Sequence, residues 1–322
     1  MVNVKKHIVR ATELTALSVW RLISEKGFIP QDLLTEEESK EREKLIDQAG
    51  VDAMYAALTD IPFVLEVVGS EGRKHIHQYG EALPTLMGTF GTGKIRLDMV
   101  NDVVEGSKAA KLNTAGAVSV VAVGSHKGLM ATPADIDYLD KLFGPPELAG
   151  KISIDNPLEE NLAEVVDTFR VKPFEINVVM MDRDRNAHYI NAAQKFGVNL
   201  ILIKAGDFLP SILSCMPTKQ HKKGIHLVVG IGGFEEGILA AVAAKALGAV
   251  GEGKAWSPNR KIQARYWTID DLVSGKKQDC LVSISFITGD DKWFNLPSVA
   301  GKKVTTLTID FSGVKIERHE HT

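Results

Sequence analysis

The chain has 322 residues, of which 44% are hydrophobic, 25% charged and 7% aromatic. This composition is typical of a globular protein and excludes a disordered or collagen-like chain, while the length predicts about two domains or one large α/β unit. Lysine and arginine total 38 against 41 aspartate and glutamate residues, which gives a net charge of −3. No overall basic excess therefore points to nucleic acid as a partner.

Cysteine use and hydropathy indicate the compartment. Cys215 and Cys280 are far apart in the sequence, and each lies beside apolar residues, which is typical of buried thiols in a reducing cytoplasm rather than of a disulfide framework. No apolar run reaches the length of a membrane span, and the polar, basic start of the chain does not resemble a signal peptide. We therefore expect a cytoplasmic protein that has no membrane partner.

Hydrophobic periodicity predicts two helices followed by strands in the first part of the chain. Apolar residues at helical spacing predict a helix over 8–24. Thr35, three residues before Glu38, predicts a capping box that begins a second helix ending at Ala57. Short apolar runs predict strands over 63–68, 95–104 and 115–123.

Helix and strand patterns alternate beyond a breaker segment at Gly144-Pro145-Pro146, before which residues 135–142 fit either a helix or an extended segment. The breaker predicts a domain boundary, so we assign residues 1–150 to an N-terminal half and residues 151–322 to a C-terminal half. The alternation predicts a largely parallel sheet. The predicted helices are 158–168, 187–196, 207–215 and 235–247, and the predicted strands are 176–181, 199–203, 225–229, 281–287, 304–311 and 314–317.

The segment from Asp98 to Ser107 brings polar groups to the end of an apolar strand. Asp102 and Glu105 offer carboxylate oxygens, which hard divalent cations prefer. Gly106 permits a tight turn with exposed backbone N–H groups, and the serine hydroxyl can orient a water or contact a phosphate. The alternative interpretation is a polar turn that binds no ligand.

A glycine-rich segment, Gly230 to Gly237, follows the predicted strand 225–229. Turns of this kind point free N–H groups and a helix N-terminus at an anion, although the spacing matches neither a Rossmann fingerprint nor a P-loop. Glu235 and Glu236 would repel a phosphate unless a metal lay between them. Alternatively, both are acids at a helix N-terminus, where they interact favourably with the helix dipole.

Two more polar segments follow predicted strands. The two guanidinium groups of Asp182-Arg183-Asp184-Arg185-Asn186 suit a bidentate phosphate clamp. The alternative is a solvated run in which the aspartates and arginines pair with one another. Ala205-Gly206-Asp207 follows the next strand, and its alternative interpretation is a helix N-cap formed by Asp207.

Other catalytic motifs are not indicated. His75 and His77 lack a third ligand at zinc spacing, and no G-x-S-x-G motif signals an α/β-hydrolase. Cys215 lies on a predicted helix and is interpreted as a packed thiol rather than a nucleophile. The terminal segment His319-Glu320-His321 is expected to be a frayed end.

Taken together and in this order, the segments resemble the class II fructose-1,6-bisphosphatases of bacteria, members of the lithium-sensitive, metal-dependent phosphatase superfamily. The resemblance spans residues 8–317 approximately. The segment 102–107 is similar to the family's Asp-Pro-Ile/Leu-Glu-Gly-Thr, and the segment 182–186 to Asp-Arg-Pro-Arg-His. Residues 205–207 stand where the family has Asp-Gly-Asp, and residues 230–237 are similar to Gly-Ile-Gly-Gly-Ala-Pro-Glu-Gly.

The resemblance implies an α/β fold, layered as an α-β-α-β-α sandwich of two halves, and a homo-oligomer. It also implies Mg²⁺- or Mn²⁺-dependent hydrolysis of a sugar bisphosphate in gluconeogenesis, with fructose 1,6-bisphosphate as the expected substrate. The implied metal ligands are Asp47, Glu71, Asp102, Glu105 and Glu236, and the implied catalytic residues are Ser107, Asp47 and Glu236. The implied substrate contacts are Glu105, Gly106, Ser107, Tyr138, Arg183, Asp184, Arg185, Ala205, Gly206, Asp207 and Gly233.

The sequence also departs from the family pattern. An acidic Gly-Glu-Gly-Glu segment of the family is replaced by the basic segment 69–77, Ala205 replaces an aspartate, and Ser107 replaces a threonine while keeping the hydroxyl. These differences leave two alternatives open. One is a catalytically weakened homologue that binds a phosphorylated metabolite, and the other is a phosphatase for sedoheptulose 1,7-bisphosphate or an inositol phosphate.

Overall fold

Helices and strands alternate along most of the chain. The computed structural model describes residues 2–26, 34–70, 85–136, 138–217, 224–258 and 262–322. The helices are α1 (Val2–Lys26), α2 (Glu36–Leu58), α3 (Ser107–Lys111), α4 (Leu158–Phe169), α5 (Ala187–Phe196), α6 (Phe208–Ser214), α7 (Phe234–Leu247) and α8 (Ile269–Leu272). The strands are β1 (Val64–Ser70), β2 (Thr89–Phe90), β3 (Arg96–Glu105), β4 (Val118–Ser125), β5 (Tyr138–Gly144), β6 (Asn177–Met181), β7 (Asn199–Ile203), β8 (Ile225–Gly233), β9 (Val250–Trp256), β10 (Tyr266–Trp267), β11 (Leu281–Phe286), β12 (Lys303–Asp310) and β13 (Gly313–Glu320).

The chain forms two compact units whose limits differ from the predicted halves. Unit 1 comprises Met1–Lys127, Leu281–Ile309 and Val314–Thr322, and unit 2 comprises Gly128–Cys280 and Asp310–Gly313. The predicted boundary between residues 150 and 151 therefore lies inside unit 2. Strand pairing explains the difference, because β5 pairs with β8 and β9 in unit 2, whereas β11 returns to pair with β4 in unit 1. Each unit combines helices with a sheet, which confirms the predicted α/β class.

Within the residues that the structure describes, unit 1 has a seven-stranded sheet in the order β13-β12-β11-β4-β3-β1-β2. Strands β1 and β3 are parallel, and β4 pairs antiparallel with both β3 and β11. Helices α1 and α2 contact each other, and their apolar faces share a core with one face of the sheet, where Ile8 and Met54 join Met99 and Val121.

The start of α2 shows how local sequence sets a helix. The predicted capping box is confirmed: the Glu38 N–H donates to the Thr35 hydroxyl at 3.2 Å, and the Thr35 N–H donates to the Glu38 carboxylate at 2.8 Å. Glu38 has its pKa lowered, chiefly by this backbone hydrogen bond. Further along, buried residues at intervals of four (Ile46, Gly50 and Met54) form the stripe that faces the core.

Unit 2 has a mixed sheet, so the prediction of a largely parallel sheet is wrong. In the described part of the chain its six strands run in the order β10-β9-β5-β8-β6-β7. Only β8, β6 and β7 pair in parallel, while β5 pairs antiparallel with β8 and with β9. Strand β9 was not predicted, because Gly251 and Gly253 interrupt its apolar pattern.

Several segments without a firm strand prediction are regular strands. Residues 135–142, predicted as helix or extended, contain the start of β5, and Gly230–Gly233, predicted as a turn, continue β8. The prediction that the segment 319–321 is frayed is wrong. His319 lies in β13, and the His321 N–H donates to the Lys302 carbonyl oxygen at 3.0 Å. Both histidine rings contact the buried Glu13 carboxylate, which holds this end of the chain on α1.

Both cysteines are unpaired and buried, as predicted. Burial raises the pKa of the Cys215 thiol and of the Cys280 thiol to about 12. A thiol with such a pKa is protonated and poorly nucleophilic at neutral pH. Among the described residues, no helix has the length and apolar character needed to cross a membrane.

Candidate functional site

A bulge at the end of β3 sets the direction of two carboxylates. Asp102 pairs with Val120 of β4 and Glu105 pairs with Val118, so three steps along β3 match two steps along β4. Strand β3 therefore has one residue more than β4 over this stretch, which is a β-bulge. Paired residues point to the same face, and so do residues two apart on a strand. Asp102 and Glu105 therefore share a face of the sheet, although their spacing on a regular strand would place them on opposite faces.

Helix α2 packs closely on the bulge and brings Asp47 to the same end of β3. The two bulge residues Val103 and Val104 both lie in the core that α1 and α2 cover. A Cβ built on Gly50 would lie 2.9 Å from the Val104 side chain, so only glycine allows this approach without rearrangement. Asp47, one turn earlier on α2, lies on the same buried face of the helix.

Ser107 links Asp47 to the bulge by hydrogen bonds. Its hydroxyl lies 2.8 Å from Asp47 Oδ1 and 2.9 Å from the Val104 carbonyl oxygen, and it has one proton to share between these acceptors. Asp102 Oδ1 accepts a hydrogen bond from the Val104 N–H at 3.1 Å. The structure thus brings Asp47, Asp102 and Ser107 together around one turn of unit 1.

Gly106 makes the turn from β3 into α3. Its φ is +84°, and a Cβ there would lie 2.8 Å from the Gly116 carbonyl oxygen. We expect Gly106→Ala to lower the free energy of unfolding, measured by urea denaturation, by about 1–3 kcal/mol. Gly301→Ala is the matched control in unit 1, since its φ is +60° with no atom within 4 Å of the built Cβ. Equal losses in both variants would contradict a role for the Gly116 contact.

The predicted metal ligands of unit 1 offer only oxygen atoms. Asp47 and Asp102 are 6% and 4% exposed, and Glu105 is half-buried. Buried carboxylates are stabilised by hydrogen bonds or by cations, and a set of carboxylate oxygens suits hard ions such as Mg²⁺ and Mn²⁺. The donor set therefore fits a divalent metal. Glu71, another predicted ligand, lies outside the described residues.

Arg185 of the predicted phosphate clamp is fixed by two contacts in unit 2. Its Nε–H donates to the Ile231 carbonyl oxygen at 3.1 Å, and its guanidinium carbon lies 4.8 Å from the centroid of the Tyr138 ring. Burial lowers the pKa of Arg185, and the nearby carboxylates of Asp207 and Glu236 act in the opposite direction. The guanidinium still carries its charge at neutral pH, because an arginine begins from a very high pKa.

Arg183 points from the same turn to the next loop. It donates a hydrogen bond to the carbonyl oxygen of Lys204, which directly precedes the exposed residues 205–206. Within the described residues, neither Arg183 nor Arg185 pairs with Asp182 or Asp184, and Asp184 is exposed. The alternative of a self-paired charge run is therefore not what the structure contains.

Asn186 holds the arginine turn, residues 182–186, against β8. This side chain is fully buried; its amide donates to the Met181 carbonyl oxygen at 3.0 Å, and its Oδ1 accepts from the Ile231 N–H at 2.8 Å. A Cβ on Gly230 would lie 2.9 Å from the same Oδ1. The glycine-rich end of β8 thus gives room for Asn186, an effect that the sequence did not reveal.

Asp207 forms a buried ion pair with Lys141. The Nζ of Lys141 lies 2.9 Å from Asp207 Oδ2, and the two side chains are 1% and 11% exposed. Asp207 occupies the N-cap position of α6, but its side chain makes no capping hydrogen bond, so the simple N-cap interpretation does not explain it. Gly232 leaves the space for the pair, because a Cβ there would lie 2.3 Å from Asp207 Oδ2.

Glu236 lies in the first turn of α7, and its negative charge acts to raise the pKa of Arg185. Gly233 ends β8 and is the N-cap of α7, with an ordinary φ of −67°. Glu235 is 3% exposed, and Glu236 is half-buried. Acids at this position interact favourably with the helix dipole, so this alternative also agrees with the placement of both residues.

Three features of the described structure were missed in the sequence. Asn186 supports the arginine turn, and Lys141 pairs with Asp207; the only signal for Lys141 was a lysine within an apolar run. A group of metal-ligating side chains, Glu66, Asp98 and His126, lies on unit 1. Its members are 32 and 28 residues apart in the sequence, so no local spacing could indicate it.

Comparison with known proteins supplies the family context. Residues 3–306 match the family described as bacterial fructose-1,6-bisphosphatase, glpX-encoded. The chain is 28% identical over 280 residues to the D-fructose 1,6-bisphosphatase class 2/sedoheptulose 1,7-bisphosphatase of Synechococcus sp. (strain JA-2-3B'a(2-13)), covering 77% of this chain and 78% of that protein. It is 32% identical over 203 residues to the fructose-1,6-bisphosphatase 1 class 2 of Escherichia coli (strain K12), covering 62% of this chain and 57% of that protein.

Proposed function

The chain belongs to the family of bacterial, glpX-encoded fructose-1,6-bisphosphatases, and we propose that it hydrolyses fructose 1,6-bisphosphate to fructose 6-phosphate and phosphate. The chain is accordingly a phosphoric monoester hydrolase of carbohydrate metabolism, in the direction of gluconeogenesis. One observation carries the proposal beyond the family match: the β3 bulge directs Asp102 and Glu105 to one face, and Ser107, two residues after Glu105, is hydrogen-bonded to Asp47.

The family is metal-dependent, and we assign the metal to Mg²⁺ or Mn²⁺. In unit 1 the ligands would be Asp47, Asp102 and Glu105, because these oxygen donors suit hard cations. When bound, such a cation supplies a Lewis acid for the phosphoryl oxygens and lowers the pKa of the water that it binds. Glu71 and Glu236 are proposed as further ligands on the family resemblance alone.

Ser107 would orient the attacking water. Because its proton lies between two acceptors, Asp47 Oδ1 and the Val104 carbonyl oxygen, the hydroxyl oxygen is left to accept a hydrogen bond. A water that donates a hydrogen bond to this oxygen would have a lone pair of its own directed away from the serine and towards the phosphorus of the substrate. Asp47 would then receive a proton through Ser107 as the water attacks.

Unit 2 would hold the phosphate that is not cleaved. Arg185 is oriented by Ile231 and Tyr138, and Arg183 by Lys204. Two guanidinium groups with fixed planes can donate several hydrogen bonds to one phosphate, and a fixed ester reacts faster than a freely moving one. The other substrate contacts proposed in unit 2 are Tyr138, Asp184, Ala205, Gly206, Asp207 and Gly233.

We expect Ser107→Ala to lower kcat for phosphate release by about 10²-fold or more, since general acid–base groups contribute 10²–10⁴-fold. KM for fructose 1,6-bisphosphate should change little, because the hydroxyl would contact water rather than sugar. The measurement is a steady-state phosphate assay in Mn²⁺. Ser107→Thr is the control, since it keeps the hydroxyl and should keep most of the activity; a Thr variant as slow as the Ala variant would contradict this role.

A panel of phosphate esters tests the function itself. Metal-dependent release from fructose 1,6-bisphosphate would support the proposal, and comparison with sedoheptulose 1,7-bisphosphate is required because the Synechococcus relative carries both names. Thermal stabilisation by bisphosphates without any release would instead support a protein that binds a phosphorylated metabolite. Release from an inositol phosphate alone would reassign the substrate.

The remaining proposals concern the setting of the enzyme. We place it in the cytoplasm, because two unpaired, buried thiols suit a reducing compartment. A homo-oligomer is proposed from the family resemblance, and size-exclusion chromatography with light scattering measures it directly.

A further inference from the structure

Three potential metal ligands lie close together in unit 1: Glu66, Asp98 and His126. Glu66 of β1 is the cross-strand partner of Asp98 of β3, and the other neighbour of Asp98, on β4, is Gly124. His126 directly follows the end of β4. The position of each residue is therefore set by the register of the sheet rather than by a long loop.

The distances among the ligand atoms suit a single small cation. His126 Nδ1 lies 3.3 Å from Asp98 Oδ1 and 3.8 Å from Glu66 Oε2, and one ligand atom from each of the three residues lies within 4.8 Å of the others. Metal–ligand bonds of about 2.0–2.2 Å place neighbouring donors of a tetrahedral site roughly 3.3–3.6 Å apart. A small rotation of Glu66, which is 43% exposed, would complete that geometry.

The charges also favour a cation. Glu66 and Asp98 are like charges directly opposite on paired strands, an arrangement that is destabilising unless something compensates it. The Asp98 side chain is 2% exposed, so water screens its charge poorly. The Arg96 guanidinium lies 3.3 Å from Glu66 Oε2, but at 49% side-chain exposure it is free to move into solvent when a metal takes that oxygen.

We propose that Glu66, Asp98 and His126 bind a divalent transition metal of the Zn²⁺ class, at a site separate from the carboxylates of the catalytic end of β3. An imidazole with two carboxylates suits Zn²⁺ and its neighbours, whereas Mg²⁺ prefers oxygen ligands alone. Asp98 and Asp102 are four residues apart on β3, which corresponds to about 13 Å along the strand. One ion therefore cannot contact both aspartates, and the site requires its own metal.

The test is calorimetric titration of the full-length, metal-stripped protein with Zn²⁺ in excess Mg²⁺, in an Asp102→Asn background that disables the proposed catalytic ligands. We expect one Zn²⁺ equivalent to remain. Adding His126→Gln or Glu66→Gln should remove this equivalent or weaken it by more than about tenfold. Both side chains are partly exposed, so these variants should fold even if the buried Asp98→Asn variant does not.

Two further variants sharpen the test. His188→Gln removes an exposed histidine of unit 2 and should leave the Zn²⁺ equivalent unchanged, whereas Arg96→Gln should bind Zn²⁺ at least as tightly, because it removes a cation that competes for Glu66. Loss of Zn²⁺ binding in the Asp102→Asn background alone, or unchanged binding in His126→Gln, would overturn the proposal. Phosphate release is not the readout, so a failure here is distinct from a failure of the proposed function.

Discussion

Asp102→Asn should reduce metal-dependent phosphate release by about 10²–10³-fold, because a lost metal ligand removes several kcal/mol of transition-state stabilisation. The substitution keeps the shape of the side chain and leaves Oδ1 able to accept the Val104 N–H. Loss of charge is then the main change. The measurement is kcat/KM for fructose 1,6-bisphosphate over a range of Mn²⁺ concentrations, and the deficit should shrink only partly at high Mn²⁺.

Asp290→Asn is the matched control for charge removal in unit 1. Asp290 is also a buried aspartate, 3% exposed, and its carboxylate accepts hydrogen bonds from backbone N–H groups at Lys292 and Trp293. We expect it to affect stability rather than turnover. If Asp102→Asn retained full activity, or if both variants lost activity in proportion to their stability, Asp102 would not be a metal ligand.

Much of the fold followed from periodicity and end signals. The helix 187–196 and the strand 199–203 were predicted with the limits that the structure has, because each segment carries its own apolar pattern and Gly197, the C-cap of the helix, separates them. The strand β9 and the return of β11 to β4 could not be predicted in the same way. Both depend on pairing between segments that are distant in the sequence, and glycines weaken the pattern of β9.

The candidate site was predicted only in part, for a related reason. The motif residues Asp102, Glu105 and Ser107 could be selected from the sequence, but the bulge that turns both carboxylates to one face is visible only in the register between β3 and β4. Likewise, Asp207 was selected without its partner. The ion pair with Lys141 depends on the space above Gly232, and no spacing rule joins these three positions.

Lys141→Met should lower the free energy of unfolding by about 3–5 kcal/mol, the cost of leaving one member of a buried ion pair without its partner. Methionine fills much of the lysine stem's volume, so the loss would come mainly from the uncompensated Asp207 carboxylate, whose side chain is 11% exposed. The measurement is urea denaturation with the midpoint and slope fitted together.

The double variant Lys141→Met/Asp207→Asn tests that cause, since removing the second charge should recover a large part of the loss. Lys254→Met is the matched control on the neighbouring strand, because Lys254 and Asp155 form a pair with side chains 34% and 61% exposed. An exposed pair of this kind contributes about 1 kcal/mol or less. If Lys141→Met and Lys254→Met lost equal stability, or if the double variant recovered none of it, burial of the Asp207 charge would not be what makes Lys141 necessary.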